Sequence, residues 1–154
     1  MRKAILAAVA ATVVATGLLG SAGAFASTSL AARTTTLRLT AHFTQATLVD
    51  AGAAGESAGD QQIVVGTLTH AGNVVGRFGF VCELLSTGAS AAEECSGTGR
   101  LAHGNLTVEG YSKQSSNDHV WAIVGGTGNF RQADGQALIH DVNDTTSIVT
   151  LEIG

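Results

Sequence analysis

From Thr34 to Asp50 apolar and polar positions alternate, with Leu37, Leu39, Ala41 and Phe43 on one parity and Thr36, Arg38, Thr40 and His42 on the other. A period of two over this length is a strand with one buried face. Similar runs return at Gln61–His70, Val74–Ser86, on both sides of the two cysteines, at Asn105–Ser112, on both sides of a glycine cluster after Asp118, and at Thr145–Ile153. Turn chemistry separates them: Ala71-Gly72-Asn73, Thr87-Gly88-Ala89-Ser90, His103-Gly104, Ser115-Ser116, Gly125-Gly126-Thr127-Gly128 and Asn143-Asp144. Ala51–Gly59, small and glycine-bearing, reads as a flexible rim loop. Strands of this number joined by short turns close into an all-β, eight-stranded antiparallel up-and-down β-barrel spanning 34–154, which leaves no exposed edge.

The cysteine hairpin fixes its own register. Twelve residues separate Cys82 from Cys95, and Thr87–Ser90 sits at their midpoint. A turn there sets Cys82 opposite Cys95, Phe78 opposite Gly99 and Phe80 opposite Gly97. A cross-strand disulfide and large rings over glycine both favour that register. The other face then pairs Arg77 with Arg100 and Glu83 with Glu94, like charges best left in solvent. Reading Glu83 and Glu94 as a lumenal acid pair or metal site would turn both phenylalanines into water, so they are assigned outside.

The same alternation points Leu106, Val108 and Gly110 inward and sets Trp121 across from Gly110, with His119 and Ile123 sharing the lumen. Val120, Ala122 and Val124 fall outside as an apolar strip that a monomer would not choose to expose, so self-association is the expectation. On the strand after the glycine turn, Asp134, Gln136, Leu138 and His140 are assigned to the lumen beside Val149, Leu151 and Ile153, because that face is the more apolar.

The first 26 residues follow the pattern of a secretory signal peptide: Arg2 and Lys3, an apolar run from Ala4 to Leu19, then Ala24-Phe25-Ala26 before Ser27. Residues 27–33 read as a flexible arm. The apolar run falls short of the roughly 20 residues that span a bilayer, so no membrane association is expected after cleavage and the chain is read as secreted. Loss of Arg2 and Lys3 would move the net charge from −4 to −6. Scattered Arg on an acidic chain argues against nucleic acid as a partner. Cys82 and Cys95 are expected to be bonded in an oxidising compartment.

The expected lumen is an apolar pocket of Phe78, Phe80, Val108, Trp121, Ile123 and Leu138 with Gln136, Asp134, His119, His140 and Ser112 as polar groups, suited to an apolar small molecule. Asp134 and His140 lie six residues apart, about 20 Å along a strand, and cannot pair directly. Asp134, His119 and His140 are the candidates for moving protons. Hydrogen-bonded interior or rim residues are the plainer reading of the same side chains. The five histidines lack zinc spacing, and the glycine turn lacks the GK[ST] ending of a phosphate loop, so no metal and no cofactor is expected.

GGTGNFRQADG, Gly125 to Gly135, resembles the G-G-T-G-x-F-x-x-A-x-G signature of dirigent proteins, and TLTHAGNVVGR, Thr67 to Arg77, resembles a second run of theirs. GGTGNF followed by Asp134-Gly135-Gln136 is similar to the matching turn of allene oxide cyclases. The resemblance implies the eight-stranded barrel, a homo-oligomer (trimer or dimer) formed through the outer wall, and orientation of a reactive intermediate in the lumen. Dirigent proteins carry a basic residue where Asp134 stands, and the amino-terminal acidic and asparagine residues of the cyclases find no counterpart in Thr34–Asp50. Two readings follow: a cyclase- or isomerase-like enzyme, or a non-catalytic barrel that binds a lipophile or serves as a structural or interaction protein.

Overall fold

A computed structural model describes residues 34–154; the assigned signal peptide and the arm up to residue 33 lie outside the described residues. Eight strands follow in order: β1 (Thr35–Val49), β2 (Gln61–His70), β3 (Asn73–Ser86), β4 (Ala92–Leu101), β5 (Gly104–Lys113), β6 (Asp118–Gly126), β7 (Gly135–Asn143) and β8 (Thr146–Ile153). Each pairs antiparallel with its neighbour and β8 returns to β1, closing an up-and-down barrel. Closure gives every strand two partners, so the backbone donors of each are met within one sheet.

The cysteine hairpin has the expected register: Cys82 faces Cys95, Phe80 faces Gly97, Phe78 faces Gly99, Arg77 faces Arg100 and Glu83 faces Glu94. The disulfide forms across β3 and β4 with Cα atoms 4.0 Å apart. Phe80 lies over Gly97, but Phe78 leans the other way, its ring against Gly66 of β2, and Leu68 is what reaches Gly99. Trp121 covers Gly110 as expected, and a Cβ there would sit 2.2 Å from the indole.

On β7 the expected face is overturned. Trp121 pairs with Ala137 and His119 with Ile139, so Gly135, Ala137, Ile139 and Asp141 point inward while Gln136, Leu138 and His140 point out. The cause is a bulge at Val142: Asn143 pairs with Thr146, but Asp141 pairs with Ser147. One inserted residue exchanges the two faces of a strand. Val149, Leu151 and Ile153 do face inward, opposite Ile139, Ala137 and Gly135.

The barrel has two unlike ends. At one, the connection from β6 to β7 folds under the lumen through a 3-10 turn, Gly128–Phe130, and Phe130, Leu37, Leu101 and Ile153 pack against the buried Leu39, Leu106, Ile123 and Leu151. At the other, the 51–60 loop hangs from β3, where Gly59 N–H donates to Leu84 O and Leu84 N–H donates to Asp60 O, both at 2.8 Å. The Asp60 carboxylate accepts from the backbone of Ala51 and Ser57, also at 2.8 Å. Those bonds lower its pKa, and the loop assigned flexibility is laced by its own aspartate.

Candidate functional site

Between the floor and the 51–60 loop the lumen holds a cavity of about 180 Å³. Its wall is apolar for most of its depth. Phe43 meets Phe78 and Phe80 edge-on at 5.8 and 6.0 Å, Phe78 and Phe80 stack 6.1 Å apart, and Trp121 meets Phe80 edge-on at 5.9 Å. The disulfide completes the wall beside Trp121. Its two sulfurs lie close to the Glu93 carboxyl, and because they are bonded to each other that grouping offers no thiolate for a metal.

Polar groups gather at the end under the loop. Trp121 Nε1–H donates to the buried Ser112 Oγ at 2.9 Å, and Ser112 faces Glu93 across the β4–β5 pair. His119 Nε2 lies 3.2 Å from Asp141 Oδ2, and the buried Ser147 hydroxyl donates to Asp141 Oδ1. A carboxylate can only accept, so the proton of the His119 bond sits on Nε2 and neutral His119 keeps its lone pair on Nδ1. Glu93 lines the cavity and takes no hydrogen bond from the described residues. Burial pushes its carboxyl above the usual carboxylate range; His119 pulls the other way, and Asp141 adds to the rise. A histidine oriented by an aspartate, next to a carboxyl inclined to hold its proton, is a base and an acid in one small space.

Phe78, Phe80, Val108, Trp121 and His119 stand on the wall as the sequence placed them. Ile123 is lumenal but packs into the core of the floor. The lumenal assignment of Gln136, Leu138, His140 and Asp134 is corrected. Gln136, partly buried, donates to Glu152 on the outer face at 2.7 Å, and His140 pairs there with Asp118 at 2.8 Å, that pair largely in water. Leu138 pairs with Val120, an outward residue. Asp134 is exposed at the closed end, where its carbonyl accepts from Gly154 N–H, far from His119. Sequence reasoning missed Glu93, Asp141 and Ser147. Glu93 was within reach: the parity that turns Cys95 and Gly97 inward turns Glu93 inward too.

The glycine cluster works differently from a tight reversal. β6 runs through Gly126, with Val124 as an extra residue where Thr107 meets Gly125 but Val108 meets Ile123. Thr127 and Gly128 then lie on the β4–β5 turn: Asn105 N–H donates to Thr127 Oγ1 at 3.0 Å, and Asn129 N–H donates to His103 O at 2.9 Å. A Cβ on Gly128 would stand 2.3 Å from His103 O. Close approach of backbone to backbone is what the cluster permits.

No protein-family model matches the sequence, and no curated protein matches it. Among solved structures the chain is similar to a pyocyanin demethylase, with TM-score 0.72 and 23% identity over 78% of this chain and 100% of that one. It is similar to an exo-specific intermolecular Diels-Alderase at TM-score 0.62 and 12% identity, over 79% of this chain and 98% of that one. A pterocarpan synthase dirigent protein matches at TM-score 0.60 and 20% identity, over 79% and 94% of the two chains. At these identities the likeness is one of fold. The chain shares its closed-barrel fold with a dirigent protein and a Diels-Alderase, the fold its glycine signature implied.

Proposed function

We propose that this barrel is a cyclase- or isomerase-like enzyme that holds a flat, largely apolar small molecule in its lumen and moves a proton on it. His119 acts as the base, oriented by Asp141 and Ser147, and Glu93 supplies or takes the compensating proton. The observation that carries this reading is the placement of one histidine and two carboxyls at one end of an otherwise apolar cavity. A cavity of about 150 Å³ accommodates a benzene ring, so 180 Å³ suits one ring or two small fused rings. Most of the rate would come from holding the guest in one pose, and the acid–base pair would add about 10²–10⁴-fold. The names of the barrels of like fold, a demethylase, a Diels-Alderase and a synthase, support the enzyme reading over a purely structural one. Export as a disulfide-bonded secreted protein and self-association through the outer wall belong to the same proposal.

A nitrobenzisoxazole, two flat fused rings that open to a cyanophenolate once a base removes the ring C–H proton, tests the base directly. The protein should accelerate this elimination saturably, with most of the acceleration lost in H119Q. Equal rates in the two proteins would remove His119 from its role. The predominantly apolar wall favours a second reading, a carrier without turnover, which would bind the same compound with no acceleration.

A further inference from the structure

The described residues that carry charge into the lumen, or into the cavity above it, are all acidic apart from His119. Glu93 and Asp141 line the lumen. A wider cavity of about 410 Å³ lies under the 51–60 loop, lined by Asp50, Glu56 and Asp60, and shares Gln62, Cys82 and Glu93 with the lumen. No described Arg or Lys lines either space. Arg38, Arg77 and Arg100 alternate onto the outer face of their strands, opposite in parity to Leu39, Phe78 and Gly99.

We propose that the lumen selects a flat aromatic cation, one ring or two fused rings with positive charge on a ring nitrogen, drawn in across this acidic mouth. The proposal rests on the reading of the lumen as a small-molecule site and narrows its substrate class. Three features act together. Asp50 and Asp60 already accept backbone N–H bonds from Gly55, Ala51 and Ser57, so their charges are fixed in place as a field and are not free to fold onto a guest. Such a field concentrates cations and repels anions at the mouth. Further in, Glu93 accepts no hydrogen bond from the described residues, its neighbour His119 being bonded to Asp141, and a half-buried carboxylate left so is relieved by a cation and strained further by an anion. The ring faces and edges of Phe43, Phe78, Phe80 and Trp121 then suit a flat guest, and a cation within about 6 Å of such a ring is attracted to its face.

Three probes of one shape and different charge separate this proposal from its foundation: N-methylquinolinium, methylnaphthalene and naphthoate. Each is titrated into the full chain while the emission of Trp121, the only tryptophan, is followed, with calorimetry as a check. The cation should bind about tenfold tighter than the neutral compound, and the anion about tenfold weaker. Raising the salt concentration should narrow the preference without touching the neutral compound, and E93Q should remove most of it. The salt series needs no variant, so a misfolded E93Q would not leave the question open. Cation and neutral compound of equal affinity, or naphthoate tightest, would overturn the charge selection while leaving the lumen a binding site. No saturable binding by any of the three would overturn both.

Discussion

The two ends of the barrel are built on opposite rules. At the closed end backbone lies on backbone, with no room for a side chain: Gly104 faces the carbonyl of Thr127 at a distance where a Cβ would stand 2.0 Å from the oxygen, with φ at +147°. At the mouth end carboxyls, a histidine and serines face a space that protein atoms leave empty, and one carboxyl is held where burial disfavours its charge. The closed end is satisfied, and at the mouth end Glu93 alone of the lumenal polar groups named above takes no hydrogen bond from the described residues. Unsatisfied chemistry is where a fold keeps function, and a rigid base at the far end lets it persist.

The contrast breaks most visibly at Gly104. Alanine there needs both a disfavoured φ and movement of the Thr127 backbone, so Gly104→Ala should cost about 2–4 kcal/mol of stability. Urea unfolding with unchanged slope and a lower midpoint would show it. The affinity of the folded fraction for a lumenal ligand should stay put, because the floor is far from Glu93 and His119. A loss below about 1 kcal/mol would mean that the glycine cluster is not what seals this end.

How much of this difference the residues disclose depends on where the strands bulge. The closed end was legible in GGTG together with His103-Gly104, although as tight turns and not as a stack of two backbones. From Gly76 to Leu84 on β3 and from Glu93 to Leu101 on β4 the face of each residue follows from Cys82, Cys95 and two phenylalanines, since one disulfide and one large-over-small pair leave a single register. β7 offers no such anchor. Its two faces are nearly equal in apolar content, and the extra residue Val142 moves Ile139 and Asp141 to the lumen in place of Leu138 and His140. A bulge is a backbone choice with no fixed residue signature, and it alone put His140 outside, while His119, expected in the lumen as well, lines it beside Asp141.

Glu93 sharpens the comparison through pH. Its pKa is raised in the folded protein, so folding favours the protonated form: the penalty is absent below the unfolded carboxyl value and develops as pH rises through the folded one. Glu93→Gln should therefore leave the melting temperature unchanged near pH 4 and raise it at pH 7 to 8, while lowering any turnover in the lumen. Stability gained together with function lost would mark the residue as held against its own preference. A melting curve equally lowered at both pH values would instead make Glu93 part of the packing.

The smallest effect expected is also the cleanest test of the corrected strand. His140 and His119 sit on neighbouring strands, each beside an aspartate, at 2.8 and 3.2 Å. Sequence alone gives them equal claim to chemistry. Only burial separates them: the His119 side chain is 10% exposed and that of His140 57%. An ion pair in water contributes about 0–1 kcal/mol, so His140→Gln should change stability by no more than about 0.5 kcal/mol and leave elimination of the benzisoxazole untouched. His119→Gln should remove it. If the two variants behaved alike, β7 would have to turn its other face inward, and with it Gln136 and Leu138 would return to the lumen and Asp141 would leave it.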